Sequence, residues 1–231
     1  MAEIANTEQS LNELFKVGAH FGFGKSRRHP SMESFIFGSK NRVDIFDLEK
    51  TQGALDKALQ FAASLAATNS PILFVGGKNE AQKIIKEEAE KIGMPYVAGR
   101  WIGGTLTNFP QVRKRVEMML DLLSQKEKGE LNKYTKKERL LIDRKIEKLQ
   151  KMFTGIKDMA ALPKALLIVD PRFEATALSE AKTLNIPVIA LCGSDNNITE
   201  VDYPIPANDS NIASIKYFVE KIAESYNKAK K

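Results

Sequence analysis

Residues 164–193 read KALLIVDPRFEATALSEAKTLNIPVIALCG, and this stretch decides the fold. Its two ends, 164–170 and 186–193, are continuous apolar runs without polar alternation, which is typical of strands buried on both faces of a sheet. Residues 173–184 between them have helical periodicity. Two strands joined by a helix form a right-handed crossover in a parallel sheet. The stretch therefore predicts an α/β protein.

The same pattern occurs earlier in the chain. PILFVGG at 71–77 and PYVAG at 95–99 are two further apolar runs. Between them, residues 79–92 place their apolar side chains on one stripe of a helix. Gly93 is well suited to end that helix because glycine readily adopts a left-handed conformation. These residues predict a second strand–helix–strand unit of the same sheet.

Two segments nearer the start of the chain add to the predicted sheet. VDIFD at 43–47 precedes an Ala- and Leu-rich helix over about 49–68, which reads as another strand–helix unit. FIFG at 35–38 indicates a further short strand. We therefore expect a sheet of five or more strands, whose edge order does not follow from the sequence.

Residues 108–155 interrupt the alternation of strands and helices. Two apolar seams at helical spacing lie on either side of a polar turn around Gly129. The seams are Val112, Val116, Met119 and Leu123, then Ile142, Ile146, Leu149 and Phe153. Narrow seams with charged remaining faces predict an antiparallel helical hairpin that projects from the α/β body. The predicted domains are a discontinuous body, 1–107 and 156–231, and an insertion at 108–155.

The positive charge of the chain is concentrated on this insertion. The formal net charge is +6, and residues 111–151 alone hold 13 Lys and Arg against 7 Asp and Glu, a difference of +6. Two interpretations stay open: a solvated helical pair with exposed ion pairs, or a surface that binds a polyanion. The concentration of the whole imbalance on one projecting element favours the polyanion surface.

Cysteine content and hydropathy limit the cellular compartments in which the protein is expected. Cys192 is the single cysteine, which excludes intramolecular disulfides and thiolate metal clusters. The first residues are polar and acidic, unlike a secretory signal. No apolar stretch approaches the roughly 20 residues of a membrane-spanning helix. We expect a cytoplasmic protein that does not bind a membrane.

The stretch GAHFGFGKS at 18–26 ends in Gly-Lys-Ser, the last three residues of the phosphate-binding P-loop motif. The full motif requires a glycine where this chain has Ala19. A P-loop needs a buried strand before it and a helix after it. The residues before this stretch have helical spacing, and Pro30 discourages a helix after it, so neither flanking element is predicted. Gly76-Gly77-Lys78 likewise lacks the third glycine of a dinucleotide-binding turn. The favoured interpretation of 18–26 is a glycine-rich basic loop that approaches a sugar–phosphate chain.

RWIGGTLTNFPQVRKR at 100–115 has the composition of an RNA-backbone contact. Two glycines make a flexible turn, and Thr107 or Asn108 can cap a helix that begins near Pro110 with three basic residues. Trp101 taken alone is typical of a core residue. The predicted RNA-binding residues of the whole chain are Lys25, Arg27, Arg28, Lys40, Arg42, Lys78, Arg100, Thr105, Thr107, Asn108, Arg113, Lys114, Arg115, Lys136 and Lys137.

Catalytic and metal-binding signals are weak. His20 and His29 lack further partners at metal-ligand spacing, and no nucleophile accompanies them. Acidic residues follow several predicted strands, namely Asp170, Asp195, Asp202 and Asp209. Loop acids usually cap helices and form turns, and Asp209 or Ser210 is expected to cap a helix over 210–227. We predict no cofactor and no catalytic residue, with Mg²⁺ bound through RNA or these loop acids as an alternative.

Several long motifs in order resemble the bacterial form of the universal small-subunit ribosomal protein family numbered two. The most specific is RWIGGTLTNF at 100–109. The others are GAHFG at 18–22, IFGSKNRVDIFDLEKT at 36–51, LLIVDPRFEATALSEAKTLNIPVIAL at 166–191 and PIPANDSNIASI at 204–215. The resemblance covers almost the whole chain.

The resemblance implies a fold and a role. The fold is a Rossmann-like (flavodoxin-like) parallel sheet flanked by helices, with a protruding antiparallel helical coiled-coil hairpin. The role is structural and non-catalytic, bound to small-subunit ribosomal RNA and to neighbouring proteins, including ribosomal protein one. Phe23 stands where the family usually has His, and Gly193-Ser194-Asp195 replaces its usual Asp-Thr-Asn turn. The alternative is an enzyme that binds a nucleotide at the strand ends.

Overall fold

The computed structural model describes residues 2–230 of the chain, with side chains from residue 9 onward. Its helices are α1 (Ala2–Lys16), α2 (Leu48–Ala67), α3 (Asn79–Ile92), α4 (Phe109–Glu127), α5 (Lys136–Phe153), α6 (Ala175–Thr183) and α7 (Ile212–Ala229). Its strands are β1 (Phe21–Gly24), β2 (Ile36–Lys40), β3 (Val43–Phe46), β4 (Ile72–Val75), β5 (Tyr96–Val97), β6 (Ala165–Val169), β7 (Val188–Cys192) and β8 (Tyr203–Pro206). Short 3-10 turns occupy Lys25–Arg27, Pro30–Phe35, Glu130–Lys133, Thr154–Ile156 and Ile198–Glu200.

Five parallel strands form the main sheet, in the order β5-β4-β6-β7-β8. Counted within this sheet alone, the order is 2-1-3-4-5, which is that of flavodoxin-like folds. Residues of β4, β6 and β7 are fully buried because apolar layers cover both faces. Phe74 and Leu167 pack with α2, α3 and α7 on one side, and Leu73 and Leu166 pack on the other side, with α6. The predicted α/β sheet flanked by helices is confirmed.

VDIFD was predicted to extend this sheet, and that prediction is wrong. Residues 43–46 form the central strand of a separate three-stranded antiparallel sheet, β1-β3-β2. FIFG forms the start of β2 in the same small sheet. The burial of β3 alternates along the strand, as expected for a strand with one buried face, whereas strands of a covered parallel sheet are buried throughout.

The fifth strand of the main sheet is β8, which the sequence analysis did not predict. Its sequence is YPIP, and Pro204 and Pro206 obscure the strand pattern. Proline is tolerated here because β8 is an edge strand that pairs on one side only, with β7. The position of β8 brings the segment 207–211 to the same end of the sheet as the ends of β4 and β6.

Helix ends follow the predicted residues in part. Gly93 has φ +67° and ends α3 as expected. The helix α7 is capped by Asn211, whose side chain accepts the Ala213 N–H at 2.9 Å, so the prediction of Asp209 or Ser210 is wrong. Asn108 precedes α4 without a side-chain capping bond.

Helices α4 and α5 occupy the two spans predicted from the apolar seams. Six seam residues are buried, namely Val112, Val116, Met119, Ile146, Leu149 and Phe153. Arg113 near the start of α4 donates to the Lys157 carbonyl just after α5, at 2.8 Å. Lys126 near the end of α4 pairs with Asp143 in α5 at 2.7 Å. The start of α4 thus contacts the chain just after α5, and the end of α4 contacts the first half of α5, so the two helices run in opposite directions.

Across the described part of the chain, every helix is too short or too polar to span a bilayer.

Candidate nucleic-acid interface and the sheet edge

Lys78 lies between two aspartates at the carboxyl edge of the main sheet. Its Nζ is 2.6 Å from Asp170 Oδ2 and 3.0 Å from Asp209 Oδ2. Asp170 follows β6 and Lys78 follows β4, so the pair stands where the strand order reverses. Flavodoxin-like proteins bind their ligands in the crevice at this reversal. In this chain the crevice holds an internal ion pair, and the Lys78 side chain is 15% exposed between the two aspartates.

The carboxylates around Lys78 are perturbed by burial. Burial and the neighbouring Asp170 raise the pKa of Asp209 to about 6, although Lys78 opposes the change. Burial lowers the pKa of Lys78, but the attraction of Asp209 and Asp170 outweighs it and the pKa ends above its usual value. Burial also raises the pKa of Glu174 to about 7, even though its Oε1 accepts the Gly77 N–H at 2.7 Å. The edge is therefore a compact, mutually dependent charge cluster.

The stretch 18–26 packs directly over this edge. The Phe23 N–H donates to Ser194 Oγ at 2.8 Å, and the Asn208 N–H donates to the Ala19 carbonyl at 3.0 Å. A Cβ on Gly22 would lie 3.0 Å from Ser194 Oγ and 3.2 Å from the Asp44 carbonyl oxygen, so any larger residue would have to displace these neighbours by a few tenths of an ångström. Helix α1 precedes the stretch, and β1 and the start of a 3-10 turn lie within it, whereas a P-loop lies between a buried strand and an α-helix. The chain itself covers the end of the sheet.

The other acidic residues and the histidines do not assemble into a site. Asp195 pairs with Arg172 at 2.7 Å, and Asp202 accepts the Val188 N–H at the opposite end of β7. His20 stacks on Phe15 with ring centroids 4.5 Å apart, and burial lowers its pKa. Within residues 2–230, no group of three or more His, Cys, Asp or Glu side chains is placed to hold a metal ion.

Four of the predicted RNA-binding residues form an exposed basic surface on the small antiparallel sheet. Lys25, Arg27, Lys40 and Arg42 all have exposed side chains. The Lys25 N–H donates to the Arg42 carbonyl at 2.9 Å, which holds the two basic segments together. Arg28 is mostly covered and lies 3.6 Å from the buried Asp44. We call Lys25, Arg27, Lys40 and Arg42 the loop surface.

A single buried carboxylate organises the segment 100–108. The two oxygens of Glu180 accept the Trp101 indole N–H at 3.0 Å and the backbone N–H groups of Gly104, Leu106 and Thr107 at 2.8 to 3.1 Å. Burial opposes ionisation of Glu180, but these hydrogen bonds outweigh it and lower the pKa below its usual value. The role of Glu180 was not predicted, because an acid inside a helix carries no signal that identifies its partners 73 to 79 residues away.

Glu180 and the loop carbonyls also explain where the predicted residues of this segment lie. Thr105 is 2 % exposed and its hydroxyl donates to the Ile102 carbonyl at 2.6 Å. The Thr107 hydroxyl donates to Glu180 at 3.3 Å. Arg100, Thr107 and Asn108 are exposed. Thr105 thus supports the segment from within, and RNA contact by any of these four residues stays a prediction.

The predicted residues of α4 and α5 are mostly free of internal contacts. Arg113 is engaged with the Lys157 and Met159 carbonyls and lies 3.7 Å from Glu117. Lys114, Arg115, Lys136 and Lys137 have exposed side chains. No ion pair involves these four within the described part of the chain. These four are therefore cations that an external anion can reach.

Comparison with known proteins identifies the family. The family model of ribosomal protein S2 matches residues 14–229, which is nearly the whole chain. The chain belongs to the ribosomal protein S2 family. It is 43% identical over 219 residues to small ribosomal subunit protein uS2 of Hahella chejuensis, covering 95% of this chain and 87% of that protein. It is 45% identical over 225 residues to the uS2 protein of Roseiflexus sp., covering 97% and 86%.

A third relative, the uS2 protein of Marinobacter nauticus, is 44% identical over 216 residues, covering 94% of this chain and 86% of that protein. Membership of the S2 family makes this chain a structural component of the small ribosomal subunit and not an enzyme. The resemblance seen in the sequence motifs is therefore confirmed. The internal ion pair at the strand reversal is in keeping with this conclusion, because it occupies the crevice where a nucleotide-binding relative of the fold holds its ligand.

Proposed function

We propose that this S2-family chain is held on small-subunit ribosomal RNA by the loop surface and by the cations of α4 and α5. The observation that carries the proposal is the set of exposed, unpaired cations. Lys114, Arg115, Lys136 and Lys137 pair with no acid of the described chain, and their residues lie in the segment that holds the whole charge excess. Cations left without internal partners are the groups that neutralise phosphates.

The proposal includes a projecting antiparallel coiled-coil hairpin. The ends of α4 and α5 contact each other as described, and the turn between them contains Gly129 at φ +74° and the capping box of Thr135 and Glu138. The charged faces outside the seam leave the pair suited to solvent or RNA. The corresponding domains are the body, 1–107 and 156–231, and the insertion at 108–155; Met1 and Lys231 lie outside the described residues.

The neighbouring partner proposed for the protein surface is ribosomal protein one. Phe15, Phe21 and Phe37 are exposed by 61%, 49% and 82%, and such apolar side chains support protein contact. The location that follows is cytoplasmic and ribosome-bound. No cofactor of its own is required for this role, and any Mg²⁺ would come with the RNA. Retention of purified ribosomal protein one on the immobilised chain, lost on Phe37→Ala with Phe173→Ala as control, tests this part.

The loop surface is tested by replacing Lys25, Arg27 and Arg42 with Gln in the full chain. Each lost phosphate contact is expected to lower the slope of log affinity against log salt by roughly 0.7 to 0.9. The triple variant should therefore lose about 2 slope units on ribosomal RNA and weaken matched and scrambled RNA alike, since backbone contacts carry no base information. A loss confined to one RNA sequence would show that direct base recognition is the mechanism.

The helical pair is tested by deleting about residues 111–151 and joining the ends with a short flexible linker. The body should stay folded, because all five strands of its sheet and the core layer beneath α2, α3 and α7 come from other segments. The deletion removes Val112, Val116, Met119 and Leu149 from the opposite core layer, so the folded body should be less stable than the natural chain. The salt slope should flatten and uptake into small subunits should fall. An unchanged slope with normal uptake, in a variant whose circular dichroism shows a folded body, would mean that these charges only keep the helices solvated.

A further inference from the structure

We propose that the groove between the segment 102–108 and helices α4 and α5 is a binding site for an RNA backbone. The groove has a volume of about 630 Å³ and three cations on its walls, Arg115, Lys145 and Lys148. No Asp or Glu lines it. The inference rests on the proposed RNA-binding function and assigns to it two residues, Lys145 and Lys148, that the sequence analysis did not single out.

The three cations of the groove are available to a ligand. Arg115, Lys145 and Lys148 are exposed, and none forms an ion pair or a hydrogen bond with another described residue. Lys145 and Lys148 stand three positions apart on α5, so their side chains point to one side of that helix. Arg115 on α4 faces the same space. The groove therefore has cations on both helices with their charges unneutralised.

A second cleft, larger than the groove, has basic residues whose charges are neutralised by nearby acids. A cleft of about 700 Å³ beside α6 is also lined by basic residues, including Arg28, Arg172 and Lys182. Arg28 lies 3.6 Å from Asp44, Arg172 lies 2.7 Å from Asp195, and Lys182 lies 3.0 Å from Glu200. These three cations already have acidic partners, and Arg27 is the one arginine or lysine of this cleft without an ion pair among the described residues. An anion entering that cleft would have to compete with them, whereas an anion in the groove would not.

The apolar and glycine residues that line the groove favour an anion that also has an apolar part. Half-buried Ile102 and Met152 and the glycines Gly103 and Gly104 line the groove together with the three cations. Gly104 has φ +88°, a conformation that only glycine adopts easily, so the backbone there carries no side chain. A sugar–phosphate chain fits such a surface, with riboses against the apolar residues and phosphates at the cations. The geometry points to two or three consecutive phosphates of an RNA strand.

The test compares two triple variants of the full-length protein. The groove variant is Arg115→Gln, Lys145→Gln and Lys148→Gln. The control variant is Lys57→Gln, Lys86→Gln and Lys216→Gln, which removes the same charge from exposed residues of α2, α3 and α7. On small-subunit ribosomal RNA, the groove variant should lose roughly 2 to 3 units of salt slope and the control less than 1. Equal loss in both variants would overturn the inference.

The outcomes separate the groove from the general proposal. If the natural chain shows no salt-dependent RNA binding, the proposed function fails. If it binds RNA, and the loop-surface variant is weakened while the groove variant matches the control, the groove inference alone fails. If the groove variant binds RNA normally but loses affinity for an acidic small-subunit protein, the groove belongs to a protein partner and the inference is overturned.

Directed cleavage gives a second, independent readout. Cys192 is fully buried, so a cysteine introduced by Gln111→Cys at the groove wall can be labelled selectively with an iron chelate. In assembled small subunits this label should cut the ribosomal RNA at one discrete place. A label placed by Lys216→Cys on α7 serves as control. Absence of cleavage from the groove label, in subunits that have taken up the protein, would contradict the proposal.

Discussion

Replacing Lys78 with Met should destabilise the protein strongly at neutral pH. The change removes the cation 2.6 Å from Asp170 and 3.0 Å from Asp209, while both carboxylates stay buried. Breaking a buried ion pair by removing one partner costs about 3–5 kcal/mol. For a chain of this size the corresponding fall in melting temperature is roughly 6–20 °C. Thermal unfolding followed by circular dichroism at pH 7.5 measures it.

The effect should depend on pH in a defined direction. The pKa of Asp209 is about 6 in the folded protein, above its ordinary 3.8, so the folded state binds the proton more tightly. The contribution of this group to stability therefore rises as pH falls through 6 and is complete below 3.8. Lys78 lowers the pKa of Asp209, so its removal raises that pKa further. The penalty of Lys78→Met should therefore shrink between pH 7.5 and pH 5.

Two further variants decide whether the buried pair is the cause. Lys83→Met removes a lysine whose side chain is 85% exposed and lies 3.8 Å from Glu87, so it should change stability by well under 1 kcal/mol. Adding Asp209→Asn to Lys78→Met removes one unpaired carboxylate and should recover part of the loss. A penalty for Lys78→Met below about 1 kcal/mol, or one that grows toward pH 5, would refute the reasoning.

Three other perturbations test the remaining structural claims. Glu180→Ala leaves four N–H donors of the 100–108 segment unpaired and should lower the free energy of unfolding by about 3 kcal/mol. The fluorescence of the single tryptophan should shift to the red. Glu200→Gln, at an exposed ion pair, should change neither the stability nor the fluorescence. Gly77→Ala places a Cβ against Glu174 Oε1 and 2.8 Å from the Gly99 carbonyl, so chemical denaturation should show a fall of about 1–3 kcal/mol in the free energy of unfolding. Gly53→Ala lies in α2 with open space around the added Cβ, so it should raise the free energy of unfolding by about 0.5–1 kcal/mol. Lys25→Ala should leave ATP turnover at the buffer background, as in the natural chain; turnover that is present in the natural chain and lost in the variant would restore the P-loop interpretation.

The strand–helix pattern of the main sheet could be predicted because it is local. Continuous apolar runs identify β4, β6 and β7, since a strand covered on both faces has no polar alternation. VDIF was assigned to the wrong sheet because a strand followed by a helix looks alike whether its pairing is parallel or antiparallel. The strand β8 was missed because its two prolines are tolerated only at an edge, and the edge is a property of the whole fold.

The partners of the site residues could not be predicted, because they lie far away in the sequence. Lys78 looks like a phosphate ligand in sequence, yet Asp170 and Asp209 lie 92 and 131 residues further along the chain and neutralise it. Glu180 looks like an ordinary surface acid of a helix. Lys145 and Lys148 look like the many other lysines of α5, and only the groove opposite Arg115 distinguishes them. The sequence shows that a residue is positively charged, but only the folded structure shows whether an external anion can reach it.

The grip of Glu180 on the segment 100–108 has a mechanical consequence for the helix that follows. Residues 100–108 connect β5 to α4, and Glu180 fastens this connection to α6 at Trp101, Gly104, Leu106 and Thr107. Bending the connection at these residues would have to break hydrogen bonds to α6, whose chain continues into β7. The direction in which α4 leaves the body is therefore tied to the position of α6.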